Sequence, residues 1–474
     1  MSVVDDQSNG PSGRRPTVSD AVTVSDRGEG FAYRPGEVLV RQNAEGRLRE
    51  LTGLPEEEFN ENFKPVSPRE EGRRAQGWRI ATGLARPLEI VDLLVAEGFD
   101  AQPNYAMFVH GCGSPCPPHP AVVQDLVRSG LFANPMKANP MKANPMKANP
   151  MKANPMKANH PMENSAVPVD GRRFQKRELN GPGPHPHIVV LDTGLAGQTD
   201  ASVDHRPRFL VSAMDASGVP RITGERDLPD VDITLPTGGS APADHYLDPA
   251  AGHGTFIAGI IEQLAPGCTI DVRKVIQPLG DTDQTAVGNA IHAVVDVVEA
   301  DSLPRLHILS MSFGGQAPEP PGYLREAVAR AIAARIPVIA SAGNDGLCTP
   351  QYPAAFPGVI AVAALGPDGP PPWTNYGDWV DACAPGVDLV SAFFDQFDGA
   401  FPTVNSYDPD HFSGWAGWSG TSFAVPVVVA AVARELVCGR RPNGGDIDAA
   451  TAVERVVRAP HLASLPCLGT VVNI

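Results

Sequence analysis

Cysteine is scarce in this chain. Seven cysteines in 474 residues, an odd number, make no disulfide framework and fit a reducing compartment. Positive charge is short as well: Lys and Arg number 38 against 54 Asp and Glu, a net charge of −16. No basic block is long enough to grip a phosphate backbone, which disfavours a nucleic-acid partner. Also missing is any uninterrupted apolar run of the roughly 18 residues that a membrane helix needs. The opening MSVVDDQSNGPSGRRPTVSD has no apolar stretch of the secretory kind. These absences predict a cytoplasmic protein with neither a membrane nor a nucleic-acid partner.

What is present is apolar side chain in quantity. Hydrophobic residues make up 42% and charged residues 19%, enough for a large core and against a chain disordered throughout. Glycine (47) and proline (49) are in excess and belong in loops, tails and linkers. The length predicts more than one unit.

Residues 1–30 are polar and without periodicity, and read as a disordered tail. Residues 31–112 read as a small α+β domain. In it PGEVLVR (Pro35–Arg41), GWRIAT (Gly77–Thr82) and YAMFVH (Tyr105–His110) are strand-like, and RPLEIVDLLVAEG (Arg86–Gly98) is spaced as a helix. Residues 113–185 read as a linker. Within it ANPMK occurs five times from Ala133 to Lys157, and a proline in every repeat blocks continuous helix. The linker is expected to be a spacer, or more sharply a row of identical peptide sites offering Met and Lys to a peptidase or partner. From 186 to 474, strand-like and helix-like segments alternate as a parallel α/β sheet requires. HIVVLDTG (His187–Gly194) is a buried strand ending in a turn. HGTFIAGIIEQLAPG opens a helix at His253, and GTSFAVPVVVAAVARELVCG opens another at Gly420.

In such sheets ligands bind beyond the carboxyl ends of the strands, where helices start. Three segments at those places supply a nucleophilic triad: Asp192 in VVLDTG, His253 in GHGTFIAG and Ser422 in SGTSFAVP. A serine hydroxyl needs a base at neutral pH. His253 would accept its proton, and Asp192 would fix the imidazole tautomer and stabilise the imidazolium. Ser422 at a helix start lies where free N–H groups and the helix dipole favour an oxyanion, and Gly252 and Gly254 leave room beside the imidazole. Alone, each motif would be a turn or a cap; together and in this order they are a site. His245 precedes a polar turn and is read as a surface residue, and Ser413 and Ser419 as structural. HGCGSPCPPH (His110–His119) has one Cys pair and no second, and is read as a loop rather than a metal site. Cys268, Cys348, Cys383 and Cys438 are read as buried small hydrophobes.

With these three motifs in the order Asp, His, Ser, the sequence from about Pro186 to Ile474 resembles the subtilisin-like serine proteases, the subtilase family. The resemblance implies an α/β fold: a subtilisin-like parallel sheet flanked by helices, here with a small α+β N-terminal domain and a low-complexity linker. It implies that Asn344 in IASAGNDG donates to the oxyanion beside the Ser422 N–H. In a subtilisin, losing such a donor costs about 10²- to 10³-fold in kcat, a figure carried over from that case. The resemblance further implies that Ser312, Phe313 and Gly314 pair with an extended substrate. The specificity pocket would be lined by Ser341, Ala342 and Gly343 and floored by Gln351, whose polar side chain disfavours large aromatic groups. Calcium is common in the family, but its ligands have no recoverable spacing here; the chemistry itself requires no cofactor.

The front domain, with PGEVLVR and FDAQPNYAMF (Phe99–Phe108) as first and last strands, resembles subtilase prodomains of the fervidolysin-like type. That resemblance implies a domain whose tail occupies the cleft as an inhibitor, released by cleavage within 113–185. The expected function is a serine endopeptidase acting on protein or peptide substrates through an acyl-enzyme. The alternatives are a peptide ligase or macrocyclase using the same triad, and a regulatory scaffold presenting the repeat arm.

Overall fold

A computed structural model describes residues 22–25, 31–67, 69, 77–109, 167–168, 179, 181, 185–198, 203–231, 233–234, 240–241, 247–248, 250–300, 307–403, 406–439 and 445–473. The ANPMK repeats, the 110–119 cluster and His245 lie outside the described residues.

A nine-stranded sheet forms the centre of the larger part. From one edge it runs Ser464–Leu465, Gly469–Val471, Ala382–Pro385, Ile360–Leu365, Val338–Ser341, His307–Met311, His187–Asp192, Thr269–Lys274 and Ile222–Gly224. All neighbours are parallel except the first pair. Chain order reverses at His187–Asp192, which has Thr269–Lys274 on one side and His307–Met311 on the other. Asp192, at its carboxyl end, therefore stands at the switch point where open α/β sheets bind ligands.

Side-chain alternation along this strand divides the core into two layers. Ile188 and Val190 pack with helices His253–Leu264 and Thr421–Cys438, whereas Val189 and Leu191 pack with helices Gln284–Ala300 and Gly322–Ala333. Because both faces are covered, these strands are mostly apolar runs, IVVL and IAVAAL among them, rather than alternating ones. Helix Thr421–Cys438 is as apolar as a membrane span, but 78% of it is buried inside the protein. It is the core helix that carries Ser422.

The front part is a second layered unit. Strands Phe31–Arg41, Trp78–Ala81 and Phe63–Pro65 bury Val38, Val40 and Ala81 beneath Leu48, Phe59 and Leu94. Two helices that the sequence pattern did not reveal, Glu45–Thr52 and Glu56–Asn62, each offer one buried side chain, Leu48 and Phe59. One anchor per helix leaves no periodicity to read. On the opposite sheet face Leu39 and Trp78 pack on Tyr323 of the larger part.

Two expectations need correction. The tail expected over 1–30 contains a strand, Thr23–Ser25, paired antiparallel with Phe31–Tyr33. Cys268 and Cys383 are buried as expected, but Cys348 and Cys438 are exposed.

Candidate active site

Asp192 and His253 meet as the motifs predict. His253 Nδ1 lies 2.8 Å from Asp192 Oδ1, and both side chains are almost wholly buried. The strand end is fixed by two further contacts, since the backbone carbonyl of Asp192 accepts from the Val275 and Ile276 N–H groups. The Thr193 N–H donates to Asp192 Oδ1 at 2.8 Å. The bond from His253 Nδ1 to the Asp192 carboxylate defines the imidazole tautomer that keeps the proton on Nδ1, leaving Nε2 as the basic nitrogen. Nε2 is buried and has no hydrogen-bond partner. The ring is held by aromatic edges, with Trp418 at 5.4 Å and Phe423 at 5.2 Å between centroids.

The glycines around His253 serve a different purpose from the one expected. Gly252 has φ +80°, and a Cβ there would come within 2.2 Å of the Phe393 ring; a Cβ on Gly254 would come within 2.4 Å of the Gly194 carbonyl oxygen. They admit Phe393 and the turn after Asp192, so that strand end and helix start come together.

Ser422 sits in the first turn of its helix, fully buried. Its Oγ donates to the Ser312 carbonyl at 3.0 Å, and Ser312 Oγ donates back to the Ser422 carbonyl at 2.8 Å. Pro426 explains the second bond. Lacking an N–H, it cannot bond the carbonyl four residues earlier, and Ser312 takes its place. No hydrogen bond joins Ser422 to His253 Nε2 in this state. Both nevertheless border the same aromatic ring, Phe423, which follows the serine and packs on the imidazole.

Asn344 is brought to the same helix start. Its Oδ1 accepts from both the Thr421 N–H and the Thr421 hydroxyl, each at 2.9 Å. A backbone N–H can only donate, so this assigns the amide orientation: the oxygen faces Thr421 and the NH₂ is left over. Asn344 Nδ2 is indeed buried without a partner. Thr421 Oγ1 also accepts from the Gly343 N–H at 3.2 Å, tying the Ser341–Gly343 turn to the helix. Ser341, Ala342 and Gly343 are buried beside it, and Gly343 at φ +107° has Asn375 Nδ2 where a Cβ would stand. Gln351 is 3% exposed, and its Nε2 donates to Asp345 Oδ2 at 3.3 Å.

Phe313–Gly314 forms a strand, and it is already paired. The last front-domain strand, Ala101–Val109, runs antiparallel to it with Val109 opposite Phe313 and Phe108 opposite Gly314. The other edge of the same strand pairs with Asp281–Asp283, Asp281 opposite Phe108 and Asp283 opposite Ala106. Met107 and Val109 are buried in the larger core. Beside this strand Arg34 spans both carboxylates, 2.5 Å from Asp281 and 3.0 Å from Asp283. Burial lowers the Arg34 pKa and the two aspartates outweigh it; burial raises that of Asp283, and Arg34 together with hydrogen bonds from Thr285 and the Ala286 N–H more than reverses it. Val167–Pro168 pairs antiparallel with Ala416–Gly417 of the strand that precedes Ser422 in the chain. Ser419, read as structural, bonds Asp388.

Among the described residues no three His, Cys, Asp or Glu side chains cluster closely enough to hold a metal ion.

The chain is 28% identical over 285 residues to the thermostable alkaline protease of Halalkalibacterium halodurans, a match covering 58% of this chain and 62% of that protein. It is 28% identical over 237 residues to subtilisin BL of Lederbergia lenta, covering 48% of this chain and 77% of that one. The solved structure of the prenylagaramide maturation protease PagA is similar at 22% identity and a TM-score of 0.42, over 62% of this chain and 92% of that chain. The sequence profile of the Subtilase family matches residues 183–450, more than half the chain. The fold is subtilisin-like, and the chain belongs to the subtilase family.

Proposed function

We propose that this protein is a serine endopeptidase acting on peptide or protein substrates and restrained by its own front domain. The observation that carries the reading is the 2.8 Å contact between His253 Nδ1 and Asp192, which leaves a buried, uncommitted Nε2 beside the helix start that bears Ser422. In the reaction, Ser422 Oγ turns from the Ser312 carbonyl to His253 Nε2. It gives up its proton there and attacks the substrate amide carbon. Asp192 stabilises the imidazolium without taking its proton. The tetrahedral oxyanion is met by the Ser422 N–H and Asn344 Nδ2, held ready by the Thr421 lock. The imidazolium then protonates the leaving amine, and water, activated by the same histidine, hydrolyses the ester.

Restraint follows from strand pairing. Backbone addition to Phe313–Gly314 is how an extended peptide would bind, and Ala101–Val109 holds that edge. Residues 110–166 join this strand to Val167–Pro168, which pairs with the strand preceding Ser422. Cleavage between them would separate the front domain from the larger part.

The test incubates wild type and Ser422→Ala with a diverse peptide library, reading cleaved peptides and the chain's own N-terminus by mass spectrometry. The expected result is peptide hydrolysis and a new N-terminus after Val109 in wild type alone. Equal cleavage by both proteins refutes the peptidase. Hydrolysis by a wild-type chain that keeps its original N-terminus refutes processing, and ligated products in place of hydrolysed ones point to a transferase.

A further inference from the structure

Behind the triad lies a buried carboxylate that the reaction above does not use. Asp227 is 3% exposed and comes from a polar stretch, ERDLPD, remote in sequence from all three motifs. Its short strand, Arg226–Asp227, pairs in parallel with Leu195–Ala196, just after the Asp192 turn. One oxygen, Oδ2, accepts two hydrogen bonds of 2.8 Å, from the Gly252 N–H and the Thr193 hydroxyl.

The polarity of these bonds is fixed by chemistry. Thr193 Oγ1 accepts from the Gly254 N–H at 3.1 Å, and its single proton goes to Asp227. The N–H groups on either side of His253, those of Gly252 and Gly254, are thereby hooked to one Asp227–Thr193 pair. The same Thr193 donates its own N–H to Asp192 Oδ1, the atom that receives His253 Nδ1. A closed circuit results: Asp192 to His253, along the backbone to Gly254, across to Thr193, and back to Asp192, with Asp227 clamping it from outside. Oδ1 of Asp227 faces Lys274 Nζ at 4.0 Å.

We infer that Asp227 is a positioning residue for this triad, setting the backbone of His253 relative to the Asp192 carboxylate through Gly252 and Thr193. The inference rests on the peptidase reading only for its kinetic consequence. Asp227→Ala removes the shared acceptor of both hydrogen bonds at once and leaves Thr193 free to turn. A displacement of the imidazole by about 1 Å costs on the order of 100-fold in turnover. Asp227→Asn keeps an oxygen for both donors and restores the geometry without the charge.

The experiment uses the full chain. It reads kcat and KM on a peptide substrate together with the low-field proton resonance of His253 Nδ1, assigned by its loss in His253→Ala. For Asp227→Ala the expected result is a kcat about 100-fold lower, with KM within about threefold, and a lost or shifted resonance. Asp227→Asn should keep the resonance and most of the kcat. An unchanged kcat and resonance in Asp227→Ala would overturn the inference, as would equal damage by the Asn variant with its fold intact. Should Asp227→Ala not fold, Thr193→Ser against Thr193→Ala decides: the serine must preserve the resonance that the alanine loses, and equal behaviour refutes the clamp. A wild type that shows the resonance but hydrolyses nothing sinks the peptidase reading alone, and the resonances of the variants still decide the clamp.

Discussion

Arg34 of the front domain and Asp281 at the edge of the cleft form an ion pair with 12% and 2% of their side chains exposed. Asp283, at 14%, shares the same guanidinium. Two carboxylates with so little access to water depend on that cation. Its removal leaves uncompensated charge, which costs about 3 kcal/mol or more where a buried pair is broken.

Arg34→Ala should therefore loosen the front domain. The expected outcome is a higher initial rate on a short peptide from the uncleaved chain, by roughly 100-fold if all of the lost docking energy is expressed. Rates are read before any processing, with the chain length followed by mass spectrometry. An unchanged rate would mean that the strand pairing of Ala101–Val109 alone holds the cleft.

Asn344→Ala removes the only described side-chain amide left unpartnered at the helix start. Its kcat should fall about 10²- to 10³-fold, with KM far less affected, because the lost bond forms mainly to the transition state. Steady-state kinetics on one peptide check this. Thr421→Val, which keeps the side chain's shape but loses the hydroxyl that braces Asn344, should give a smaller loss in the same direction.

What the sequence made legible is what local pattern encodes. Asp192, His253 and Ser422 each stand where a buried apolar strand ends or a buried helix begins, so the shift in hydrophobic period marks their positions. Pro426 was visible in SGTSFAVP, but its consequence, a carbonyl freed for Ser312, depends on a partner far away in the chain. Asp227 left no mark. It lies among polar residues, with nothing in ERDLPD to distinguish a clamp from a surface turn, and its role is created by long-range contacts with Thr193 and Gly252. The front helices were hidden for the opposite reason: each buries a single side chain, so their strongest local signal is charge.

The Gln351 side chain and its bond to Asp345 fill space that glycine would leave open. Gln351→Gly should raise kcat/KM for peptides with Phe or Tyr before the cut bond relative to those with Ala, by about tenfold, a size typical of one pocket contact. Competing peptides in a single reaction give that ratio directly. An unchanged ratio would place the specificity pocket elsewhere.

Asp227 also makes a prediction about stability that is separate from catalysis. Burial pushes its carboxyl up from 3.8 to about 6, against the opposing pull of Lys274 and of the Gly252 and Thr193 hydrogen bonds. Between those two values the folded chain holds a proton that the unfolded chain releases, so rising pH favours unfolding across that window and the penalty is complete above it. Two pH units correspond to about 3 kcal/mol as an order of magnitude. Asparagine is neutral at every pH and escapes the penalty. Asp227→Asn should therefore match wild type in thermal midpoint near pH 4 and exceed it by several degrees at pH 8. Ser422→Ala is the background for both measurements, so that self-cleavage does not obscure the transition. A gain of the same size at both pH values would mean that the charge on Asp227 is fully compensated where it lies, with Lys274 closer in solution than 4.0 Å.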